Sequence, residues 1–354
     1  MPTPRVVVLG SGFAGLEVVF RLRAELGAGV RLVMVTDYPH FQFKPNSIRL
    51  PFGEAHGRDH LVRGPLVDAL RDRDVELRVG AVSGLDAAAG VVLTDHGDRL
   101  AYDRLVIATG AGVRPDDVPG LAEHARQIWS PGQMLELGRD LRLMAHRASR
   151  SHRQRVLFAV PPGNLCSSPL YDMAFLLDTW LRRRHVRDAV EIAFTTFEKT
   201  YLSQANQHVH EMTADQFGSR HIDATAGTEL IKVGEHEAMY ADGDIRPFDL
   251  LITFPAQVAA VEYAGLPADD RGFLCCEAQS RAVIGHPEIH APGDAGDHPV
   301  KQAYLATLQG TAAALDIVAD LRGADLRGAD LRGVADLPGR QMSRQLRLAD
   351  DGMW

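Results

Sequence analysis

The sequence predicts an α/β chain of two Rossmann-like domains followed by a short repeat tail, and three observations carry that prediction. An apolar run, Arg5 to Leu9, leads through Gly10-Ser11-Gly12-Phe13-Ala14-Gly15 into a helix-patterned stretch, Leu16 to Arg23. A second run, Val30 to Thr36, ends at Asp37, about 20 residues beyond the glycines. A third, Arg155 to Val160, runs into another turn followed by a helical pattern. Apolar strands alternating with helical stretches are the mark of a parallel sheet covered by helices.

Composition narrows the function classes. The 354 residues are 45% hydrophobic and 24% charged, an ordinary globular balance with room for about two domains. A net charge of −8 provides no basic field for nucleic acid or anionic lipid. No apolar run approaches the roughly 18 residues of a membrane helix, and the immediate start on a strand leaves no room for a signal peptide. Three cysteines, Cys166, Cys275 and Cys276, cannot form a disulfide framework. The expectation is therefore a cytoplasmic protein without a membrane span or nucleic-acid partner, with homodimerisation left open.

Each glycine of the first motif has its own task. Gly10 permits the tight turn, Gly12 lets a pyrophosphate approach the backbone, and Gly15 lets the helix lie close to the strand. The helix N-terminus offers unpaired N–H groups to phosphate, and Asp37 stands where a ribose hydroxyl would be held. The competing reading is a glycine turn that binds no nucleotide. Further along, Tyr102 to Ala111 reads as a buried strand entering the small-residue turn Ala108-Thr109-Gly110. Ile289 to Ala291 is a strand followed by Gly293-Asp294, and a long helix is expected from about Lys301 to Asp320.

Together these segments resemble the two-dinucleotide-binding flavoproteins related to glutathione reductase. The resemblance implies FAD as cofactor, its pyrophosphate on Gly10, Gly12, Phe13, Ala14 and Gly15 and its ribose at Asp37. It implies that Ala108, Thr109 and Gly110 pack against the cofactor. Gly293 and Asp294 would then meet the ribitol, and the following helix would point its N-terminus at the flavin. It also divides the chain into a discontinuous FAD domain, 1–117 plus 249–320, a second domain, 118–248, and a tail, 321–354. Relatives keep a second glycine motif for NAD(P)H in that second domain. Here Pro161-Pro162-Gly163-Asn164-Leu165-Cys166 stands instead, and proline removes backbone donors.

That loop looks like the sulfide:quinone oxidoreductase group, with flavocytochrome c sulfide dehydrogenases and type II NADH dehydrogenases as neighbours. The aromatic loop Asp37 to Pro45 is similar to theirs and brings Lys44 into the cofactor set. By this resemblance Cys166 is the cysteine that forms a persulfide beside the flavin. The residues agree: Ser168 as N-cap and Pro169 at N1 would start a helix just after it, with Leu170, Ala174, Leu177 and Leu181 on one apolar face. A helix N-terminus stabilises a thiolate. The plain alternative is an inert, buried thiol. Lys301, one of only four lysines among 38 basic residues, would place a cation at the flavin edge or a quinone headgroup, or else be an exposed surface lysine.

The chain departs from that group as a C-terminally truncated member would. The family's partner cysteine and membrane-seating helices lie in a C-terminal extension, and no cysteine follows Cys276 here. Peripheral membrane association and polysulfide shuttling between two cysteines are both put in doubt. Cys275 and Cys276 read as strand neighbours on opposite faces, one buried and one half-buried. No spacing of the 15 histidines suggests a metal. Residues 319–333 repeat Ala-Asp-Leu-Arg-Gly three times, a pattern similar to pentapeptide repeats but too short to bury its own core.

The expected activity is oxidation of sulfide or a small thiol through Cys166 and flavin, with a quinone-like acceptor. The alternatives are a flavin oxidoreductase acting on a small quinone-like metabolite, an NAD(P)H:acceptor reductase, and a non-enzymatic redox-sensing flavoprotein.

Overall fold

The computed structural model describes residues 2–53, 62–149 and 151–323, and these form two compact units. The first unit takes residues 2–42, 62–112 and 258–323, and the second takes 43–53, 113–149 and 151–257. The repeat beyond Gly323, and with it most of the tail expected at 321–354, lies outside the described residues.

The first unit is built on a six-stranded sheet in the order Ala282–Val283, His286–His290, Arg104–Ile107, Arg5–Leu9, Arg31–Thr36, Val75–Val79. Every pairing is parallel except the hairpin at the Ala282–Val283 edge. Val6, Val7, Val8 and Leu9 are fully buried, which explains the unbroken apolar run: both faces of the central strand are covered. Helices Phe13–Leu26 and Ala303–Leu321 cover one face with Val18, Val19, Leu22, Ala313, Ala314 and Ile317. The two helices lie close because Gly310 faces Ala14, where a Cβ would come within 2.8 Å of the Ala14 carbonyl oxygen. The antiparallel strands Val82–Asp86, Val91–Thr94 and Arg99–Ala101 form the other layer, bringing Val92 and Leu100 against Val7 and Leu105.

The second unit repeats this plan. Its parallel sheet runs Ala125–Gln127, Leu250–Thr253, Gln154–Val160, Val190–Thr196, Asp223–Ala226. Helices Pro131–Arg147, Ser168–Arg183 and Gln207–Ser219 cover one face around Leu137, Leu177, Phe194 and Phe217. The antiparallel strands Leu230–Val233, Glu237–Tyr240 and Ile245–Pro247 cover the other. Both units are thus Rossmann-type layers, as the alternation of runs predicts.

The compact units and the expected division of the chain differ in where they place one segment. Residues 43–53, placed by the sequence in the first domain, cluster with the second unit. The reason is packing: Leu50 and Phe52 join the second unit's core, with Phe52 at 6.2 Å from the Trp180 ring. Gly138 leaves room for this segment, since a Cβ there would lie 2.9 Å from the Pro51 carbonyl oxygen. The other crossings fall near residues 112 and 257 rather than 117 and 249. Among the described residues, no helix is long and apolar enough to cross a membrane.

Candidate functional site

In the first unit the glycine motif forms the turn between Arg5–Leu9 and Phe13–Leu26. Gly10 has φ +96°, and a Cβ there would meet the Ala108 carbonyl oxygen at 2.3 Å. Gly15 is as constrained, with the Gly10 carbonyl oxygen 2.0 Å from where its Cβ would be. Gly12 differs: nothing lies within 4 Å of its missing Cβ. It is the N-cap of Phe13–Leu26, with no side chain capping the helix. Crowded glycines thus hold the turn while the middle glycine faces open space at a positive helix end, a cradle suited to a pyrophosphate.

The neighbouring expected residues lie in the same unit. Phe13 makes an edge contact with Phe41 at 5.2 Å, and Ala14 is buried against the helix that follows Gly293. Asp37 follows the second strand as an exposed carboxylate, its turn set by Ser11 Oγ and Thr36 Oγ1 at 2.9 Å. Ala108 continues the Arg104–Ile107 strand and bonds to the Leu9 carbonyl at 2.8 Å, ahead of half-buried Thr109 and Gly110. Gly293 takes φ +76°, donates to Gln309 Oε1 at 2.9 Å and opens the short turn that carries half-buried Asp294.

Lys301 is not a surface lysine. Only 4% of it is exposed, its Nζ donates to the Gly296 carbonyl at 2.5 Å, and it sits 3.6 Å above the Phe273 ring. Desolvation pulls its pKa down to about 8, with Asp294 and Asp269 acting in the opposite direction. The helix begins at Ala303 with Gln302 as N-cap, two residues later than expected, so Lys301 lies just ahead of it. Cys275 and Cys276 lie outside any strand, Cys276 in an isolated bridge to Val283, and they are half-buried and buried respectively. Cys276 donates to the Leu274 carbonyl at 3.1 Å, and burial pushes its thiol up to about 11. Among the described residues no group of three His, Cys, Asp or Glu is gathered for a metal.

The other two expected residues, Lys44 and Cys166, belong to the second unit. Lys44 is exposed, with Nζ 4.2 Å over the Trp129 ring. Cys166 is half-buried at the end of the proline loop. Its backbone N–H donates to Asn164 Oδ1 at 2.8 Å, and Asn164 Nδ2 in turn donates to the Phe254 carbonyl at 2.8 Å. The Leu165 N–H donates to Gln257 Oε1 at 2.5 Å. The helix starts one residue earlier than expected, at Ser168, so its N-cap is Ser167 and Pro169 is its second residue. The predicted apolar face is present: Leu170, Ala174, Leu177 and Leu181 are fully buried.

Several residues here escaped the sequence reading. Glu198 is a buried carboxylate after the Val190–Thr196 strand, and Gln257 is a buried amide bracing the loop. Asp172 lies six residues after Cys166. It is reached by solvent, yet the surrounding protein desolvates it and pushes its carboxyl up to about 6, against the pull of Arg49. An acidic side chain on a partly polar helix gives no sign of this; only the position of Glu198 at a strand end was readable.

The family described as pyridine nucleotide-disulphide oxidoreductase matches residues 4–139. Sulfide-quinone reductase of Aquifex aeolicus is 28% identical over 244 residues, which cover 67% of this chain and 54% of that protein. Demethylphylloquinone reductase of Synechocystis sp. is 26% identical over 332 residues, 89% of this chain and 78% of that protein. The solved structure of sulfide:quinone oxidoreductase from Aquifex aeolicus is similar in fold, with TM-score 0.82 at 22% identity over 91% of this chain and 78% of that one. The chain spans about half the length of the curated sulfide-quinone proteins that it matches.

Proposed function

We propose a sulfur-oxidising flavoenzyme, and the premise is membership: this chain belongs to the pyridine nucleotide-disulphide oxidoreductase superfamily and is sulfide:quinone oxidoreductase-like. The cofactor of this group is FAD, and the glycine cradle of the first unit fits its pyrophosphate. The reaction inferred takes two electrons and two protons from hydrogen sulfide to a quinone-like acceptor, giving quinol and zero-valent sulfur. Bound FAD supplies the two-electron relay between donor and acceptor.

The chain's own residues have distinct parts in this reading. Gly10, Gly12, Phe13, Ala14 and Gly15 hold the pyrophosphate, and Asp37 accepts from the ribose. Ala108, Thr109, Gly110, Gly293 and Asp294 line the remainder of the cofactor. Lys301 provides a cation for the negative charge that accumulates on reduction, and with its pKa near 8 it gives or takes a proton close to neutrality. Cys166 carries the sulfur atom during oxidation. Lys44 belongs to the same expected cofactor set, and its Nζ lies 4.2 Å over the Trp129 ring.

The observation that carries the reading is the proline loop, which fixes the Cys166 backbone from within. The test is an anaerobic titration of the flavin-loaded protein with sulfide, comparing the parent with Cys166→Ser. The parent's visible flavin band should bleach rapidly, and the variant should be slower by about 100-fold or more. Equal rates in the two would remove the cysteine mechanism. One observation favours a second reading, reduction or oxidation of an organic quinone without sulfide: the demethylphylloquinone reductase match extends over 89% of this chain. A flavin indifferent to sulfide but reoxidised by quinones would put that reading first.

A further inference from the structure

Glu198 lies two residues past the strand Val190–Thr196, close to the place that Asp37 takes just after Arg31–Thr36 in the first unit. In this fold an acid there faces a ribose. Glu198 instead is 93% buried, by its 7% exposure, and turned inward. Its Oε1 accepts from Ser167 Oγ at 3.0 Å, the Ser203 N–H at 3.0 Å and Ser203 Oγ at 3.2 Å. Its Oε2 accepts from Tyr171 Oη and Thr196 Oγ1, both at 2.8 Å. All five partners donate, which an acceptor-only carboxylate satisfies and an amide would not.

Ser167 shows what this arrangement does. It is the N-cap of Ser168–Arg183, yet its hydroxyl makes no capping bond. Serine at this position ordinarily accepts from the helix N–H groups. Here the hydroxyl is drawn away to Glu198. Cys166 is therefore gripped from both sides: its own N–H by Asn164, and the residue after it by Glu198. We propose that Glu198 is a positioning residue for Cys166, acting through the Ser167 hydroxyl. The proposal deepens the reading of Cys166 given above and rests on it for its meaning in turnover.

The test uses the flavin-loaded full chain and follows alkylation of Cys166 by iodoacetamide across pH, resolved by peptide mass so that Cys275 and Cys276 do not interfere. Ser167→Ala should displace the pH profile and slow sulfide-dependent flavin bleaching by about tenfold, the scale expected when a reacting group is slightly misplaced. Ser167→Thr, which keeps a hydroxyl, should return both to within about twofold of the parent. Glu198→Gln should behave as Ser167→Ala does. Ser167→Ala loses no cap bond but removes one of the five donors to Glu198, so its thermal midpoint should fall modestly, and alkylation is followed well below it. An unchanged alkylation profile in Ser167→Ala, or a Ser167→Thr variant as impaired as the alanine one, would overturn the proposal. Alkylation reads the thiol directly, so it still decides the matter if Cys166→Ser shows that sulfide oxidation does not use this cysteine.

Discussion

At the scale of single residues, the three motif glycines separate folding from binding. Gly15→Ala forces a methyl against the Gly10 carbonyl oxygen, a backbone atom that cannot swing away. The expected loss is upwards of about 2 kcal/mol, visible as a lower thermal midpoint with or without flavin. Gly12→Ala meets no protein atom and leaves an ordinary φ of −76°. It should change the stability of the flavin-free chain by less than about 1 kcal/mol. Its methyl enters the space of the pyrophosphate, so FAD affinity should fall by about tenfold or more, read from the flavin-to-protein ratio after dialysis. Full flavin occupancy in Gly12→Ala would mean that the phosphate is held elsewhere. Lys301 gives a pH signature. Its pKa falls from 10.5 unfolded to about 8 folded, so the unfolded chain binds more protons between those values and stability rises with pH across that window. Below pH 8 the folded state carries the full desolvation penalty. Lys301→Met, stripped of flavin, should therefore melt higher than the parent at pH 7, with the gap closing by about pH 10. A gap that widens with pH would contradict the burial argument.

At the scale of elements, the sequence was most readable where period and burial coincide. Leu170, Ala174, Leu177 and Leu181 mark one helical face, and all four are buried because the same face meets the sheet. The helix starts one residue from the expected place because Ser167 and Ser168 are equivalent as letters; what sets Ser167 apart is its bond to Glu198, 31 residues away in sequence, and no local pattern conveys it. Asp178 on the same helix was equally invisible. Its carboxylate is fully buried and accepts from Arg182 Nε at 2.9 Å, Arg187 Nε at 2.6 Å and Arg220 Nη1 at 3.0 Å. Burial alone would raise its pKa, but the three guanidinium bonds outweigh that and lower it. The hub ties Ser168–Arg183 to the turn at Arg187 and to Arg220, which follows Gln207–Ser219. Asp178→Asn keeps the volume but leaves two or more cations without their counter-charge. It should cost about 3–5 kcal/mol in urea unfolding. A loss under about 1 kcal/mol would show the arginines to be satisfied by solvent.

At the scale of the whole chain, the two units share one architecture, and the difference between them lies in the loop that follows Arg5–Leu9 in one and Gln154–Val160 in the other. In the first unit the loop is glycine-rich and its helix end is open. In the second unit the same loop has lost the backbone donors of Pro161 and Pro162. Those that follow are committed: Asn164 N–H to the Pro161 carbonyl, Leu165 N–H to Gln257, and Cys166 N–H to Asn164. The acid that would meet a ribose, Glu198, is bound to five internal donors. This much of the contrast was legible, since prolines are visible in sequence; the inward turn of Glu198 was not, because it depends on Tyr171 and Ser203 arriving from separate segments. Nor was the attachment of residues 43–53 to the second unit, which rests on Phe52 meeting Trp180 rather than on any boundary signal. A pyrophosphate entering this loop would find few N–H groups to receive it and would have to displace bonds already made. NADH and NADPH at millimolar concentration should therefore shift the thermal midpoint by less than about 1 °C and leave the flavin oxidised. Saturable stabilisation, or flavin bleaching by NADH at a rate comparable with sulfide, would show that the loop rearranges to admit a dinucleotide, and the donor would then be a nicotinamide rather than sulfur.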